Sequence, residues 1–212
     1  MERAILFING ELIGDDDFYL NYIKAADKVV CADGGADHAY KLGIIPDLIL
    51  GDLDSISSKA LEHYQTEQVE FAKYPVAKDK TDTQLILEEL IELEYKEIII
   101  FAGLGGRLDH TLANLYLLDF LAEFDTKIKF ISPKEQVEIV CKEKILVNEV
   151  DKTLSLLPLS DEVTGVYLEG FKYGLEDASF KRGDTLGLSN IVQESPAKIK
   201  LASGKLLMII NN

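Results

Sequence analysis

The sequence predicts an α/β protein with a parallel sheet in its N-terminal half and an antiparallel β-sandwich in its C-terminal half. Up to about residue 126, short apolar runs alternate with segments of helical periodicity, a pattern typical of parallel sheets covered by helices on both faces. Beyond that point, short β-rich stretches are separated by Gly, Pro or Asn, and no helical pattern follows. We therefore predict a Rossmann-like α/β domain over residues 1–126 and a β-sandwich over residues 127–212.

Strands and helices largely alternate in the predicted N-terminal domain. Apolar runs that end near Gly, Asn or Asp predict the strands, which are expected at 4–8, at 28–32, within 46–55 and at 97–102. Helical spacing of apolar residues predicts the helices, which are expected at 15–26, 36–43, 57–65, 81–93 and 111–124. The clearest helix is 81–93, because Thr81 and Gln84 fit a capping box.

Composition limits the classes of partner. The chain has 212 residues, a formal net charge of −15 and 47% apolar residues. An acidic chain repels the phosphates of nucleic acids and the surface of anionic membranes, so neither is expected as a general partner. An anionic small substrate would need a metal ion or a few placed Lys and Arg side chains.

Cysteine usage and the absence of long apolar runs predict a cytoplasmic protein. Cys31 and Cys141 lie in apolar runs without metal-ligand spacing, and we interpret them as reduced core thiols, with a disulfide as the minority alternative. The apolar part of the N-terminus is too short for a signal peptide, and no apolar run approaches the length of a membrane span.

Glycine and polar residues follow the predicted strands at the point where each strand ends. In an open parallel sheet these ends meet at one edge, where ligands bind. Glycine allows a ligand to approach the backbone closely, aspartate can hold a cation, and arginine can meet phosphate oxygens. The clusters are Asn9-Gly10, Asp33-Gly34-Gly35, Gly51-Asp52-Leu53-Asp54 and Gly103-Leu104-Gly105-Gly106-Arg107.

Asp52 and Asp54 form the most informative pair. On an extended backbone, residues two apart point to the same side, so their carboxylates repel each other unless something compensates. A hard divalent cation is one candidate; water, a lysine, or ordinary turn chemistry of aspartate are the alternatives. A second pair, Asp79 and Asp82, adjoins the helix 81–93, where an acid is either a helix cap or a further Mg²⁺ ligand.

Two common nucleotide-binding motifs do not match. The segment GLGGRL resembles a dinucleotide fingerprint, but Leu108 occupies the place of the third glycine, which argues against a nicotinamide site. The sequence contains no G-x-x-x-x-G-K-[ST], so a P-loop is excluded. His110, beside Asp109 near a helix start, is interpreted as a structural or phosphate-contacting group rather than as a catalytic base.

Four motifs together resemble the thiamine pyrophosphokinase (thiamine diphosphokinase) family. CADGGADHAYKLGIIPDLILGDLDSI, KDKTDTQLIL and GLGGRLDHTLANL stand in the family's order, and LGLSN followed by AKIKLASGKLLMII resembles the end of its thiamine-binding domain. The resemblance covers nearly the whole chain. It implies an α/β catalytic domain, a C-terminal β-sandwich, and a homodimer that holds thiamine between the catalytic domain of one subunit and the sandwich of the other.

The resemblance also implies a reaction and the residues that serve it. ATP and thiamine would give AMP and thiamine diphosphate in the presence of Mg²⁺, with the hydroxyethyl oxygen of thiamine attacking the β-phosphorus. Arg107 would take up phosphate charge. The implied metal ligands are Asp52, Asp54 and Asp82; the implied ATP-binding residues are Asp33, Gly34, Gly35, Lys80, Thr81, Arg107, Asp109 and His110; the implied thiamine-binding residues are Ser189 and Asn190.

One position departs from the family pattern. The residue before Asp79 is in some family members a glutamine that contacts thiamine, whereas here it is Lys78, so that contact is not carried over and Lys78 is expected to face phosphate. Asp79 is the candidate general base for the thiamine hydroxyl.

Two other classes of protein stay open, namely another metal-dependent enzyme acting on a phosphoanhydride and a non-enzymatic nucleotide or thiamine sensor. The LGLSN segment and the β-rich second half argue against the first class. The clustered acids argue against the second, because a sensor has no need of them at the phosphates.

Overall fold

The computed structural model describes residues 2–72 and 80–212. The chain divides into two compact units, Met1–Pro133 and Lys134–Asn212. Within the described ranges, no helix combines the length and the apolar composition that crossing a membrane requires.

A parallel sheet forms the centre of the first unit. Its strands are β1 (Arg3–Phe7), β2 (Lys28–Ala32), β3 (Leu48–Leu50), β4 (Glu70–Ala72), β5 (Glu97–Phe101) and β6 (Lys127–Ile131). Their order across the sheet is β6-β5-β1-β2-β3-β4, and each pair of neighbours runs parallel. The chain proceeds from β1 towards one edge and returns on the other side of β1 with β5, so the strand order reverses there. In sheets of this kind, the crevice beyond the carboxyl ends at the reversal point binds ligands.

Helices cover both faces of this sheet. The helices that the structure describes are α1 (Asp16–Ile23), α2 (Gly35–Lys41), α3 (Ser58–Thr66), α4 (Asp82–Glu92) and α5 (Leu108–Leu121). On one face, Phe7 of β1 lies in a buried cluster with Tyr19 of α1 and Tyr64 of α3. Leu6 points to the opposite face and is fully buried as well, and α4 contacts β2 while α5 contacts β6. The predicted α/β architecture is confirmed.

Local chemistry explains where several helices begin and end. The Oγ of Ser57 accepts a hydrogen bond from the N–H of Ala60 at 3.3 Å, and the Oγ of Thr81 accepts one from the N–H of Gln84 at 3.2 Å. After α2, Gly43 has a φ of +68°, which glycine adopts without strain. The predicted and observed helix bounds differ by at most three residues.

The sequence pattern does not assign two of these strands, β4 and β6, to the parallel sheet. β4 is only three residues long, too short for a periodicity signal. β6 was expected to open the C-terminal domain, but it pairs in parallel with β5. Because β6 completes the parallel sheet, the first unit extends to Pro133, beyond the predicted boundary after residue 126.

Two antiparallel sheets form the second unit. Its strands are β7 (Glu135–Val140), β8 (Glu143–Leu146), β9 (Thr153–Pro158), β10 (Glu162–Glu169), β11 (Leu175–Lys181), β12 (Asn190–Ile191), β13 (Ala197–Lys200) and β14 (Leu206–Asn211). One sheet has the order β12-β9-β14-β7 and the other β11-β10-β13-β8. Leu154 and Met208 of the first sheet lie in one buried cluster with Val166 and Ile199 of the second. The predicted antiparallel β-sandwich is confirmed, and no helix occurs between residues 134 and 212, all of which are described.

Candidate active site

The carboxyl ends of β1 and β5 approach each other closely at the reversal point of the sheet. The N–H of Ile8 donates to the carbonyl of Phe101 at 3.2 Å. A Cβ atom at Gly10 would lie only 2.0 Å from the carbonyl oxygen of Ala102, so glycine is required there. The Nε2 of His38 lies 2.9 Å from the carbonyl oxygen of Gly10 and fastens this loop to α2. The sequence could not reveal this role of His38, because a lone histidine on a short helix carries no local signal.

Asp33 connects the end of β2 to the turn that follows β3. Its N–H donates to the carbonyl of Leu50 at 2.9 Å, and its Oδ1 accepts from the N–H of Leu53 at 3.2 Å. A Cβ atom at Gly51 would lie 1.7 Å from that same Oδ1, so the carboxyl of Asp33 occupies the space where a side chain at position 51 would stand. Gly51 therefore makes room for the acid.

The carboxyl of Asp33 also lies beside other acids. Burial raises the pKa of Asp33 to about 6; the N–H of Leu53 acts in the opposite direction, and the neighbouring carboxyls of Asp82 and Asp52 raise the pKa further. The structure thus brings together acids from the end of β2, the turn after β3 and the first residue of α4. The parallel sheet predicts that the strand ends with Asp33 and Asp52 meet at one edge. Asp82 joins them from the start of α4.

Asp52 and Asp54 lie in a turn rather than on an extended strand. β3 ends at Leu50, and Leu53 has a φ of +68°. The N–H of Asp54 donates to Oδ1 of Asp52 at 3.0 Å, and the hydroxyl of Ser55 donates to Oδ1 of Asp54 at 2.8 Å. The argument that both carboxylates share one side of an extended backbone is therefore wrong, and the turn chemistry of Asp52 is present. Both side chains are exposed.

The oxygen donors of this region fit Mg²⁺ in their chemistry. Within residues 2–72 and 80–212, no group of three or more His, Cys, Asp or Glu side chains is arranged to hold a metal ion on its own. Mg²⁺ commonly takes only one or two carboxylates and completes its shell with water and substrate phosphates. The assignment of Asp52, Asp54 and Asp82 as ligands stays a prediction.

Gly34 and Gly35 are explained by packing. A Cβ atom at Gly34 would lie 2.5 Å from Cγ of Asn9, and one at Gly35 would lie 2.2 Å from the carbonyl oxygen of Phe7. Both glycines are buried. Close approach of a phosphate to them stays a prediction.

Thr81 and Lys80 precede α4 and have partners within it. The hydroxyl of Thr81 is the N-cap, as predicted, whereas the amide of Gln84 donates to Glu88 at 3.0 Å. The ammonium of Lys80 also pairs with Glu88, at 2.7 Å. Asp79 and Lys78 lie outside the described residues.

Arg107 stands at the N-terminus of α5 and forms a two-point ion pair with Asp109. The Nη2–Oδ2 distance is 2.6 Å and the Nε–Oδ1 distance is 3.1 Å. The hydrogen bonds from Arg107 lower the pKa of Asp109 to about 2. The N–H of His110 also donates to Asp109, and all three side chains are exposed. These three residues thus lie together at the start of α5, and their contact with ATP stays a prediction.

Two polar residues of α5 hold the glycine-rich loop before it. The amide of Asn114 donates to the carbonyl of Gly103 at 2.9 Å, and the hydroxyl of Thr111 lies 3.3 Å from the carbonyl oxygen of Gly105. The sequence analysis missed both residues, although polar side chains in an otherwise apolar helix were a usable signal.

In the second unit, the side chain of Asn190 forms hydrogen bonds to the backbone of a neighbouring loop. Its Nδ2 donates to the carbonyl of Tyr173 at 2.8 Å, and its Oδ1 accepts from the N–H of Tyr173 at 3.0 Å. Asn190 is 5% exposed, whereas Tyr173 is 58% exposed. The adjacent Ser189 has a φ of +56°, and its N–H donates to the hydroxyl of Ser155. Asn190 therefore fixes the position of Tyr173.

Comparisons with known proteins match both units. The family model "Thiamin pyrophosphokinase, catalytic domain" matches residues 19–130, and "Thiamin pyrophosphokinase, vitamin B1 binding domain" matches residues 131–206. The thiamine pyrophosphokinase of Bacillus subtilis is 31% identical over 179 residues, which are 84% of this chain and 84% of that relative.

Solved structures agree over the full length. The crystal structure of thiamine pyrophosphokinase from Bacillus subtilis has a TM-score of 0.87 at 27% identity and covers 100% of this chain and 99% of its own. That of thiamin pyrophosphokinase from Geobacillus thermodenitrificans has a TM-score of 0.85 at 27% identity, covering 100% and 98%. The fold and the family models define an α/β enzyme with an added β-sandwich. The chain belongs to the thiamin pyrophosphokinase family and is a transferase of thiamine diphosphate biosynthesis.

We expect Asp33→Asn to stabilise the fold at neutral pH in the absence of divalent metal. Because the folded-state pKa of Asp33 is raised to about 6, the stability that its protonated form contributes is complete below the unfolded value near 3.8 and is lost as pH rises through 6. The neutral amide avoids this loss and still accepts from Leu53. After allowance for solvent screening, we expect a gain of about 1–2 kcal/mol at pH 7.5 that vanishes near pH 3.5.

Urea unfolding with EDTA at both pH values measures this difference. Asp125→Asn, an exposed acid in the turn after α5, is the control. A pH-independent difference, or a loss of stability at pH 7.5, would contradict the prediction.

Proposed function

We propose that this chain transfers the pyrophosphoryl group of ATP to the hydroxyethyl oxygen of thiamine, with release of AMP, in a Mg²⁺-dependent reaction. One observation carries the proposal: at the carboxyl edge of the parallel sheet, the carboxyl of Asp33 is hydrogen-bonded to Asp82, and the charge of Asp52 raises the pKa of Asp33 as well. Such a concentration of negative charge is stabilised by a divalent cation that binds together with nucleotide phosphates. Membership of the family implies ATP as the co-substrate.

The acids and Arg107 have different proposed tasks. Mg²⁺, when bound, neutralises charge on the phosphate oxygens. Asp52, Asp54 and Asp82 are its proposed ligands, and Asp33 adds a carboxyl beside Asp82. Arg107 is proposed to donate to phosphate oxygens, and its ion pair with Asp109 orients the guanidinium at the start of α5.

The start of α4 is a second proposed phosphate contact. The dipole of the helix favours an anion at this end, where Thr81 is the N-cap. Lys80 would have to exchange Glu88 for phosphate in order to take part. Asp79 is the proposed general base for the thiamine hydroxyl, with Lys78 beside it facing phosphate. The other proposed ATP contacts are Gly34, Gly35 and His110.

Ser189 is a proposed thiamine contact of the second unit, and Asn190 is proposed to serve the same site. Both ends of the Asn190 amide already hold the backbone of Tyr173. We therefore expect Asn190 to act by keeping the exposed Tyr173 in place rather than by binding thiamine with its own amide.

A homodimer is proposed as the active form, and an apolar stripe on α5 supports it. Residues four apart lie on one face of a helix, and an exposed apolar face of this kind is typical of an interface. The stripe begins directly after Arg107, so a second copy that covers it would reach the candidate site. Its members in α5 and their exposed fractions are Leu108 at 71%, Leu112 at 44%, Tyr116 at 64% and Phe120 at 53%.

We expect Phe120→Glu to weaken dimerisation at least about 100-fold, which is roughly 2.7 kcal/mol, because a charge would be buried without a partner. Sedimentation velocity across a dilution series measures the change. Ile45→Glu replaces an exposed apolar residue outside the stripe and serves as the control. A variant as dimeric as the unmodified protein would contradict the assignment of this face.

The proposed reaction is tested by ³¹P NMR of the purified chain with ATP, Mg²⁺ and thiamine, beside a sample without thiamine. AMP and thiamine diphosphate should appear together, and only when thiamine is present. ADP with thiamine monophosphate would instead indicate transfer of a single phosphoryl group. Phosphate release without thiamine would favour a phosphoanhydride hydrolase, and binding of thiamine by calorimetry without turnover would favour a sensor.

Asp54→Asn should reduce kcat at least about 100-fold, because a metal-binding carboxylate that stabilises transition-state charge is lost. The melting temperature should change by less than about 3 °C, since Asp54 is exposed. Steady-state rates and thermal unfolding measure the two effects, with Asp125→Asn as the control. A folded variant with near-normal kcat would remove Asp54 from the proposed ligand set.

A further inference from the structure

Asp37 accepts two hydrogen bonds from Ser57, which ends the segment that carries Asp52 and Asp54. The N–H of Ser57 donates to Oδ2 of Asp37 at 2.9 Å, and the hydroxyl of Ser57 donates to Oδ1. The same hydroxyl accepts from the N–H of Ala60 and so caps α3. Asp37 therefore joins the first turn of α2 to the N-terminus of α3.

A second hydrogen bond joins the residues that lie four positions before Asp37 and four positions before Ser57. Asp33 accepts from the N–H of Leu53, and Asp37 accepts from the N–H of Ser57. Residues 53–57 are therefore attached to residues 33–37 at both ends. Asp54 lies between the two attachments, and Asp52 directly precedes the first.

The segment between these attachments has no regular secondary structure to hold its shape. Leu53 is in the left-handed region with a φ of +68°, a conformation that persists only where surrounding contacts impose it. Ile56, with 8% exposure, anchors the segment in the core, and Leu53 packs against the same buried cluster. The attachment at Ser57 is therefore a main constraint on the orientation of the two acids.

We propose that Asp37 is a positioning residue, which sets the Asp52–Asp54 turn in the orientation that binds the divalent cation. The inference rests on the proposed function, which makes Asp52 and Asp54 ligands of Mg²⁺. Asp37 acts through Ser57, because its two oxygens accept from that residue. What matters is hydrogen-bond acceptance, so an amide should replace the carboxylate.

The test compares Asp37→Ala, which removes both acceptors, with Asp37→Asn, which keeps an acceptor for the N–H of Ser57. Asp17→Ala is the matched control, since it removes an exposed acid from the first turn of another helix. Two measurements need no turnover: amide hydrogen exchange of residues 51–57, and Mn²⁺ binding followed by EPR without nucleotide.

For Asp37→Ala we expect exchange in residues 51–57 to accelerate at least about tenfold and Mn²⁺ affinity to fall at least about tenfold, as for the loss of a hydrogen bond to a charged group. Asp37→Asn and Asp17→Ala should stay within about twofold of the unmodified chain. In steady-state assays with ATP, Mg²⁺ and thiamine, Asp37→Ala should raise the Mg²⁺ concentration needed for half-maximal activity. The KM for thiamine should stay unchanged.

Three results would overturn the proposal. Unchanged exchange and Mn²⁺ affinity in Asp37→Ala would mean that the turn holds its shape without Asp37. An Asp37→Asn variant as defective as Asp37→Ala would mean that charge, not hydrogen bonding, is responsible. Equal weakening of thiamine and Mg²⁺ binding would indicate a general loss of structure.

Failure of the proposed function is a separate outcome. The unmodified chain could form no thiamine diphosphate while hydrogen exchange and Mn²⁺ binding in the variants respond as expected. That result would support the positioning role of Asp37 and refute the proposed reaction.

Discussion

The contact between the carboxyl of Asp33 and the empty side-chain position of Gly51 is the constraint on which the candidate site depends. Asp33 donates its N–H to Leu50 and accepts from Leu53, so it is held against both sides of that glycine. Any side chain at Gly51 would displace the carboxyl, since even a Cβ atom would lie 1.7 Å from it. Displacement would separate Asp33 from Asp82 and detach the turn that carries Asp52. A single absent side chain thus makes room for Asp33 beside Asp82 and within the electrostatic influence of Asp52.

The arrangement carries an electrostatic cost that the rest of the first unit must offset. Asp33 is partly buried beside other carboxyls, and its pKa is raised because ionisation there is unfavourable. Both Asp33 and Leu53 also have positive φ values. Strain of this kind persists where a rigid frame imposes it. The parallel sheet is that frame, since β1 and β5 are buried on both faces and set the strand ends at one edge.

α5 contributes both to the candidate site and to the proposed dimer interface. Its first turn presents Arg107, Asp109 and His110, and Asn114 further along holds the carbonyl of Gly103. Its outer face carries the apolar stripe that we assign to a second copy of the chain. Because one helix joins the loop, the arginine and the stripe, covering the stripe would also restrain the arginine. In this way, the proposed dimer and the proposed chemistry depend on the same element.

The sequence by itself determined the fold class, most helices, the Thr81 cap and the strand ends that carry the acids, because these follow from local periodicity and from the rule that parallel strands end at one edge. It could not place β4 or β6 in the sheet, since β4 has only three residues and the partner of a strand is decided by packing that no local pattern records. It also mistook the turn at Asp52 and Asp54 for extended backbone. Only the tertiary structure showed that Asp33 fills the space at Gly51, that Asp37 holds Ser57 and that Asn190 holds Tyr173. Each of these contacts joins residues distant along the chain, so its energy depends on packing that no local pattern records.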